Sequence, residues 1–236
     1  MKTRSLLLTL CAIMGIATCA SGSTVKESRP VAGDFRKISS TSGIAVYFSQ
    51  GKTASIIVEA EPDIINEVKT EIKSGTLEIG FKGTSIFRKI SSKITVTVVA
   101  PALDEVNATG GSNFNTDELS GSSIDFNLSG GARGNIGEVK LSSTLKINVS
   151  GGAACLLKNA QTSDCEFNSS GGARIEVKLE SAKNVKANSS GGARIKLEGE
   201  ARNVDANASG GASVDISAIK SENVNSNSSG GGRVHR

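Results

Sequence analysis

Aromatic residues are scarce in this sequence: there is no Trp, a single Tyr (Tyr47), and Phe, Trp and Tyr together make up 3 % of 236 residues. A core built on large rings is excluded, so the buried surface must come from Val, Ile, Leu and Ala. The only histidine, His235, stands next to the last residue, which leaves no set of His and Cys from which to expect a metal site. Charge of either sign is not in excess. The formal net charge of +4 falls to +2 without Lys2 and Arg4, and acids and bases are interspersed. Nucleic acid is therefore not an expected partner, since it calls for a clustered basic face and stacking platforms.

Long apolar runs are also lacking. The one apolar stretch, Leu6 to Ile16, follows Lys2 and Arg4 and precedes the small residues Ala17-Thr18-Cys19-Ala20-Ser21-Gly22. It is too short to span a bilayer and reads as a secretory signal peptide over residues 1–20, followed by a linker over 21–33. Two processing routes are open. Cleavage after Ala20 releases a soluble chain, whereas Cys19 behind Ile16-Ala17-Thr18 is a candidate lipidation site that would tether it as a lipoprotein. Either route makes this an exported protein of the periplasm, outer membrane or surface of a Gram-negative bacterium, with membrane contact only through the lipid.

What is abundant is glycine, 27 residues, and it is ordered. Gly-Gly pairs begin at 110, 130, 151, 171, 191, 210 and 230, a period of 19 to 21 residues. A fixed period in this range signals a solenoid, and units rich in Gly, Ser, Asn and β-branched residues do not make helical repeats. Three residues before each pair stands an Asn: Asn107, Asn127, Asn148, Asn168, Asn188, Asn207 and Asn227. Immediately before each pair stands Ser or Thr, and after it a small residue, usually Ala.

Apolar columns of one parity flank these marks. Ile124, Leu145, Cys165, Val185, Val204 and Val224 precede the Asn by three; Val106, Phe126, Ile147, Phe167, Ala187, Ala206 and Ser226 precede it by one. Phe114, Cys155, Ile175, Ile195 and Val214 follow it by seven, with Gly134 as an exception, and Ile136, Leu157, Val177, Leu197 and Ile216 by nine. Alternation of this kind marks strands with one buried face. The chain must bend between the two strands of a unit, and Gly-Gly is where it can. The predicted fold is all-β: a right-handed parallel β-helix over 107–236, each coil having a strand before the corner, a strand after it and a looser return containing residues such as Gly199 and Asn203. Seven coils would rise about 34 Å.

The recurrent Asn-x-Ser/Thr pattern is read as structure, not glycosylation, because the coil repeat accounts for all seven positions at once. Stacked amides can bond along the axis as a ladder. Parity points them outward, and the bend leaves open whether they turn back. Arg133, Arg174, Arg194 and Arg233 share a second column, interrupted by Ala154 and Ser213. They form a candidate anion or glycan stripe, though a solvated outer column mixed with Glu176, Lys196 and Asp215 is the favoured reading. Cys155 and Cys165 fall in inward columns, as a candidate disulfide across the lumen or as two buried thiols in place of Ile and Val.

Residues 34–106 are more irregular but strand-rich. Strands are predicted over 43–48, 55–58, 76–81 and 93–98, and helical turns over 62–68. Ser42-Gly43-Ile44 echoes the later corners, so this part is expected to cap the stack or form early, wider coils. Phe35 with Ile38, the Ser42-Gly43-Ile44 corner, Glu61-Pro62-Asp63, Gly75-Thr76-Leu77 and the Ser-Gly-Gly ladder together resemble the head GIN domain family, described as putative autotransporter adhesins. The resemblance covers nearly the whole mature chain and implies an exported bacterial β-helix without catalytic residues. Nothing in the sequence resembles the membrane-spanning barrel that "autotransporter" suggests.

The function expected is that of a non-enzymatic cell-envelope protein, an adhesin or interaction scaffold contacting a surface glycan or an envelope protein, with no cofactor, metal or catalytic set. The alternative is a β-helix polysaccharide lyase or hydrolase. That needs clustered carboxylates, while Asp125, Glu138, Asp164, Glu176, Glu198, Asp205 and Asp215 are scattered among columns. Calcium-bound repeat corners would need an Asp that these corners lack.

Overall fold

The structure is a computed structural model and describes residues 24–83 and 93–236; the expected signal peptide and Cys19 lie outside the described residues. The Gly-Gly pairs are tight corners. In Ser129-Gly130-Gly131-Ala132 the Ala132 N–H donates to Ser129 O at 3.1 Å, and both glycines have positive φ, +59° and +86°. That is the φ pattern of a type I′ turn. At 151, 171, 191 and 210 only the first glycine has positive φ, as in a type II′ turn. A side chain at the first position would also press on the corner beneath: a Cβ on Gly130 would lie 3.2 Å from Gly110 N.

Between corners the chain is extended without a break. The described residues form fifteen strands: β1 Val25–Arg29, β2 Lys37–Ser40, β3 Ala45–Gln50, β4 Ser55–Ala60, β5 Val68–Lys73, β6 Thr76–Phe81, β7 Thr95–Ala100, β8 Glu105–Ala108, β9 Asn113–Leu128, β10 Arg133–Val149, β11 Ala154–Ser169, β12 Arg174–Ser189, β13 Arg194–Ser209, β14 Ser213–Ser229 and β15 Arg233–His235. β9 to β15 stack in parallel, each on the next, with Asn107, Asn127, Asn148, Asn168, Asn188, Asn207 and Asn227 aligned. The predicted looser return is not found. The strand after one corner runs into the strand before the next, and the coil turns at register irregularities inside it, such as Leu141/Thr144 and Leu179/Ala182. Gly199, with φ +110°, is such a point: a Cβ there would lie 1.8 Å from Leu179 O. Asn203 is a paired strand residue, aligned with Asn184 and Asn223.

The N-terminal part continues the stack. β2 lies parallel to β8 in register, and β3 parallel to β9, so Thr41-Ser42-Gly43-Ile44 sits over the first Gly-Gly corner as an early coil. Ser42 itself takes positive φ, +65°, where later coils have glycine. β6 on β2 and β7 on β3 extend this outward, and antiparallel strands close the end: β5 on β6, β4 on β7, β1 on β4. Two predictions change here. The 62–68 turns reduce to a 3-10 turn at Ile65–Glu67 that leads into β5, and the linker contains β1. Antiparallel strands suit a cap because they cover the parallel edge without offering a further coil.

The interior is filled by the predicted columns except in the last full coil, where Val224 is 37 % exposed; Phe114, Phe126 and Phe167 are fully buried and Phe48, Phe114 and Phe126 pack ring on ring at 6.0 to 6.3 Å. The Gly134 exception has a local cause. A Cβ there would lie 2.9 Å from Leu128 Cδ1, so the leucine on the other side of the same corner fills the space of the missing side chain. Leu128 belongs to an inward column that the sequence pattern hides: Ala108, Leu128, Val149, Ser169, Ser189 and Ala208, each following the ladder Asn, are all buried.

Candidate functional site

With the lumen packed, chemistry is confined to the outer columns. The asparagines face outward, half-buried in their own ladder except for Asn227, which is exposed. Nδ2 of Asn127, Asn148, Asn168, Asn188, Asn207 and Asn227 each donates to Oδ1 of the Asn one coil earlier, at 2.8 to 3.1 Å. At the first coil Asn107 Nδ2 donates to Glu105 Oε1 at 2.9 Å. The bend does not rotate these side chains into the turn, which settles the direction that parity suggested. A second ladder, unseen in the sequence, runs beside it: Asn184 to Asp164, Asn203 to Asn184 and Asn223 to Asn203, at 2.7 to 2.9 Å.

Between the ladders lies a column of mixed charge, Glu105, Asp125, Lys146, Glu166, Lys186 and Asp205, which alternates in sign from Asp125 onward. Its carboxylates serve as acceptors. A hydrogen bond from Lys37, then one from Asn107, holds Glu105 below the ordinary carboxylate range, and a bond from Asn168 does the same for Glu166. Asp164 is lowered first by Asn184, and Asp215 by Ser217. Groups held ionised in this way can orient donors but are poorly suited to give up a proton. Where acids of the rival enzyme reading share a column they are not axial neighbours: Lys196 stands between Glu176 and Asp215, and Lys146, Glu166 and Lys186 stand between Asp125 and Asp205.

Arg133, Arg174, Arg194 and Arg233 occupy one exposed column, where Arg174 and Arg194 are axial neighbours and Ala154 and Ser213 interrupt it. Arg174 Nε lies 3.9 Å from Glu176 Oε1. Cys155 and Cys165 are free and buried, so the candidate disulfide is not formed; Cys155 stacks between Gly134 and Ile175, and Cys165 between Leu145 and Val185. Burial pushes both thiols up to about 12, with the Asp164 charge adding to the effect at Cys165.

Among the shallow depressions of the outer faces, two border residues outside the main ladder. One, of about 510 Å³, runs beside the second ladder past Asp164, Asn184, Asn203 and Asn223. The other, of about 370 Å³, lies where β3 meets the repeat, between Tyr47 and Leu156. Both of those side chains are exposed, at 48 % and 43 %, on the same outward column. Sequence reading passed over them because Tyr47 stands in the irregular part and Leu156 in the repeat, and only stacking brings them to one face.

A sequence model of the family described as "Putative auto-transporter adhesin, head GIN domain" matches residues 34–235. No curated protein matches the chain. Among solved structures, a putative adhesin from Bacteroides fragilis is similar with a TM-score of 0.69 and 18 % identity, over 89 % of this chain and 96 % of that one. A putative adhesin from Parabacteroides merdae gives 0.67 and 22 %, over 91 % and 96 %. A protein from Parabacteroides distasonis described as a putative lipid binding protein gives 0.68 and 18 %, over 91 % and 96 %. At these identities the likeness establishes a shared fold.

Proposed function

This chain belongs to the head GIN domain family, and we propose from that premise that it is a non-enzymatic envelope protein, an adhesin or interaction scaffold whose outer coil faces are the contact surface. The observation that carries the reading is the outer Asn ladder. Six side-chain bonds along the axis hold these amides in fixed positions before any partner arrives, so a partner pays little ordering entropy on the protein side. Export to the periplasm, outer membrane or cell surface places such a face where envelope glycans and proteins are its neighbours. An acyl chain would have to lie outside the coils, since Phe114, Phe126, Phe167 and the aliphatic columns fill the interior. A processing assay with a fatty-acid probe decides whether Cys19 carries a lipid.

The test is retention of the purified protein by envelope fractions and by a glycan array, beside the double variant Arg174→Ala/Arg194→Ala. Retention of both proteins supports a scaffold that acts through its amide-rich faces. Loss in the double variant would make the arginine column the contact instead. Release of new reducing ends or unsaturated uronates from the polysaccharides would replace the scaffold reading with the lyase or hydrolase alternative.

A further inference from the structure

We propose that the depression between Tyr47 and Leu156 is a saccharide subsite that takes a short neutral oligosaccharide. The inference rests on the adhesin reading and names its ligand class and place. The outward column here runs Ile57, Thr97, Tyr47, Asn115, Asn135, Leu156, so Tyr47 and Leu156 stand three strand spacings apart, about 14 Å. That is longer than one sugar ring. The two side chains form the ends of a trough and the two asparagines form its floor.

The floor is built to meet hydroxyls. Asn115 Nδ2 donates to Val46 O at 3.2 Å and Asn135 Nδ2 donates to Asn115 Oδ1 at 3.0 Å. The next position is Leu156, so this short amide chain stops, and Asn135 Oδ1 has no partner among the described residues. One column further along the strands lie Asp117 and Lys158, on either side of Gly137. Both are exposed, and neither has an ion-pair partner among the described residues. Gly137 cannot carry a side chain, because its Cβ would lie 2.1 Å from Asp117 O, and the gap between carboxylate and ammonium therefore stays open.

A pyranose presents an apolar C–H face and a rim of groups that both donate and accept. Tyr47 offers an aromatic plate for the first; the Asn135 carbonyl, Asp117 carboxylate and Lys158 ammonium offer an acceptor, an acceptor and a donor for the second. Competing ligands fit less well. A peptide strand seeks unpaired backbone, whereas Asn115, Asn135 and Leu156 each have a paired strand on both sides. A polyanion meets Asp117, and an acyl chain meets the amides. The Asp117 and Lys158 charges cancel, which favours a neutral sugar.

The protein supplies its own probe. With no Trp and one Tyr, its ultraviolet emission above the phenylalanine band reports on Tyr47 alone. Neutral oligosaccharides on an array, followed by titration of the retained ones, should change that emission on binding. Calorimetry should show about tenfold or weaker binding in Tyr47→Ala and in Asn135→Ala, and near-native binding in Tyr47→Phe, which keeps the ring. Matching melting midpoints for the three variants establish that folding is intact; where Tyr47→Ala melts early, Asn135→Ala against Tyr47→Phe decides. Binding of a neutral sugar with unchanged Tyr47 emission and unchanged affinity in these variants overturns the subsite and leaves the adhesin reading standing. Retention by envelope fractions without any neutral sugar bound overturns the ligand class alone, and absence of both overturns the two readings together.

Discussion

Asn188 donates from Nδ2 to Oδ1 of Asn168 at 2.9 Å, and Asn168 passes a bond of the same length to Asn148. Each inner member of the ladder is thus donor to the coil before and acceptor from the coil after. Asn168→Ala removes three bonds at a half-buried position, two along the ladder and one to Glu166, and strands the amide of Asn188 and the carbonyl of Asn148, a cost of about 1–3 kcal/mol. Asn227→Ala removes one bond at an exposed position and should cost less than about 0.5 kcal/mol. Thermal melts of the two variants check the contrast. Equal midpoints would mean that the ladder orders the face without stabilising the stack.

Gly171 and Gly172 share a corner but not a constraint. Gly171 has φ +70°, and a Cβ there would lie 3.2 Å from Gly151 O and 3.3 Å from Gly151 N. Gly172 has no positive φ, and its nearest neighbour, Gly151 O, would be at 3.5 Å, an ordinary contact. Gly171→Ala should cost about 1–2 kcal/mol for the left-handed backbone, with crowding of the corner beneath added. Gly172→Ala should be neutral or stabilising by up to about 1 kcal/mol, since it restricts the unfolded chain. Chemical denaturation of both variants distinguishes them, and similar losses would contradict the turn assignment.

Ser169 and Ser189 are neighbours in the hidden inward column, 4 % and 3 % exposed, and neither hydroxyl has a hydrogen-bond partner among the described residues. Ala108 and Ala208 occupy the equivalent positions. Serine here buries a polar group for nothing in return, so Ser169→Ala and Ser189→Ala should each stabilise by about 1 kcal/mol. A lower melting midpoint in either would mean that the hydroxyl has a partner, such as a buried water.

The same column shows where sequence reading stops. The Gly-Gly period and the four apolar columns were legible because each repeats one chemistry on every coil. The column after the ladder Asn was not, since Ala, Leu, Val and Ser alternate in it and only packing defines it; Leu128 is there to fill the space over Gly134. The second amide ladder was hidden because Asp164 starts it and it lies in what looked like a return loop. The continuous β9 to β14 strands were missed for a related reason, since their bends are register irregularities and carry no fixed turn residue. The Tyr47 trough depends on contacts between an irregular segment and the repeat, and no periodicity reports those.

Cys155 and Cys165 give the fold a dependence on alkaline pH. Their thiols ionise at 9.0 in an exposed chain, but burial pushes both up to about 12 in the fold. From about pH 9 to about pH 12 the unfolded chain therefore holds fewer protons than the folded one, and stability falls as pH rises across that window. Below it the contribution of the buried thiols is complete. Replacing both by valine, which suits positions stacked on Ile175 and Val185, removes this dependence. Denaturation midpoints measured upward from neutral pH should fall more steeply in the native protein than in Cys155→Val/Cys165→Val, and alkylation at neutral pH should label neither thiol before unfolding. Parallel pH profiles, or rapid labelling of the folded protein, would show that the thiols are not held inside the coils.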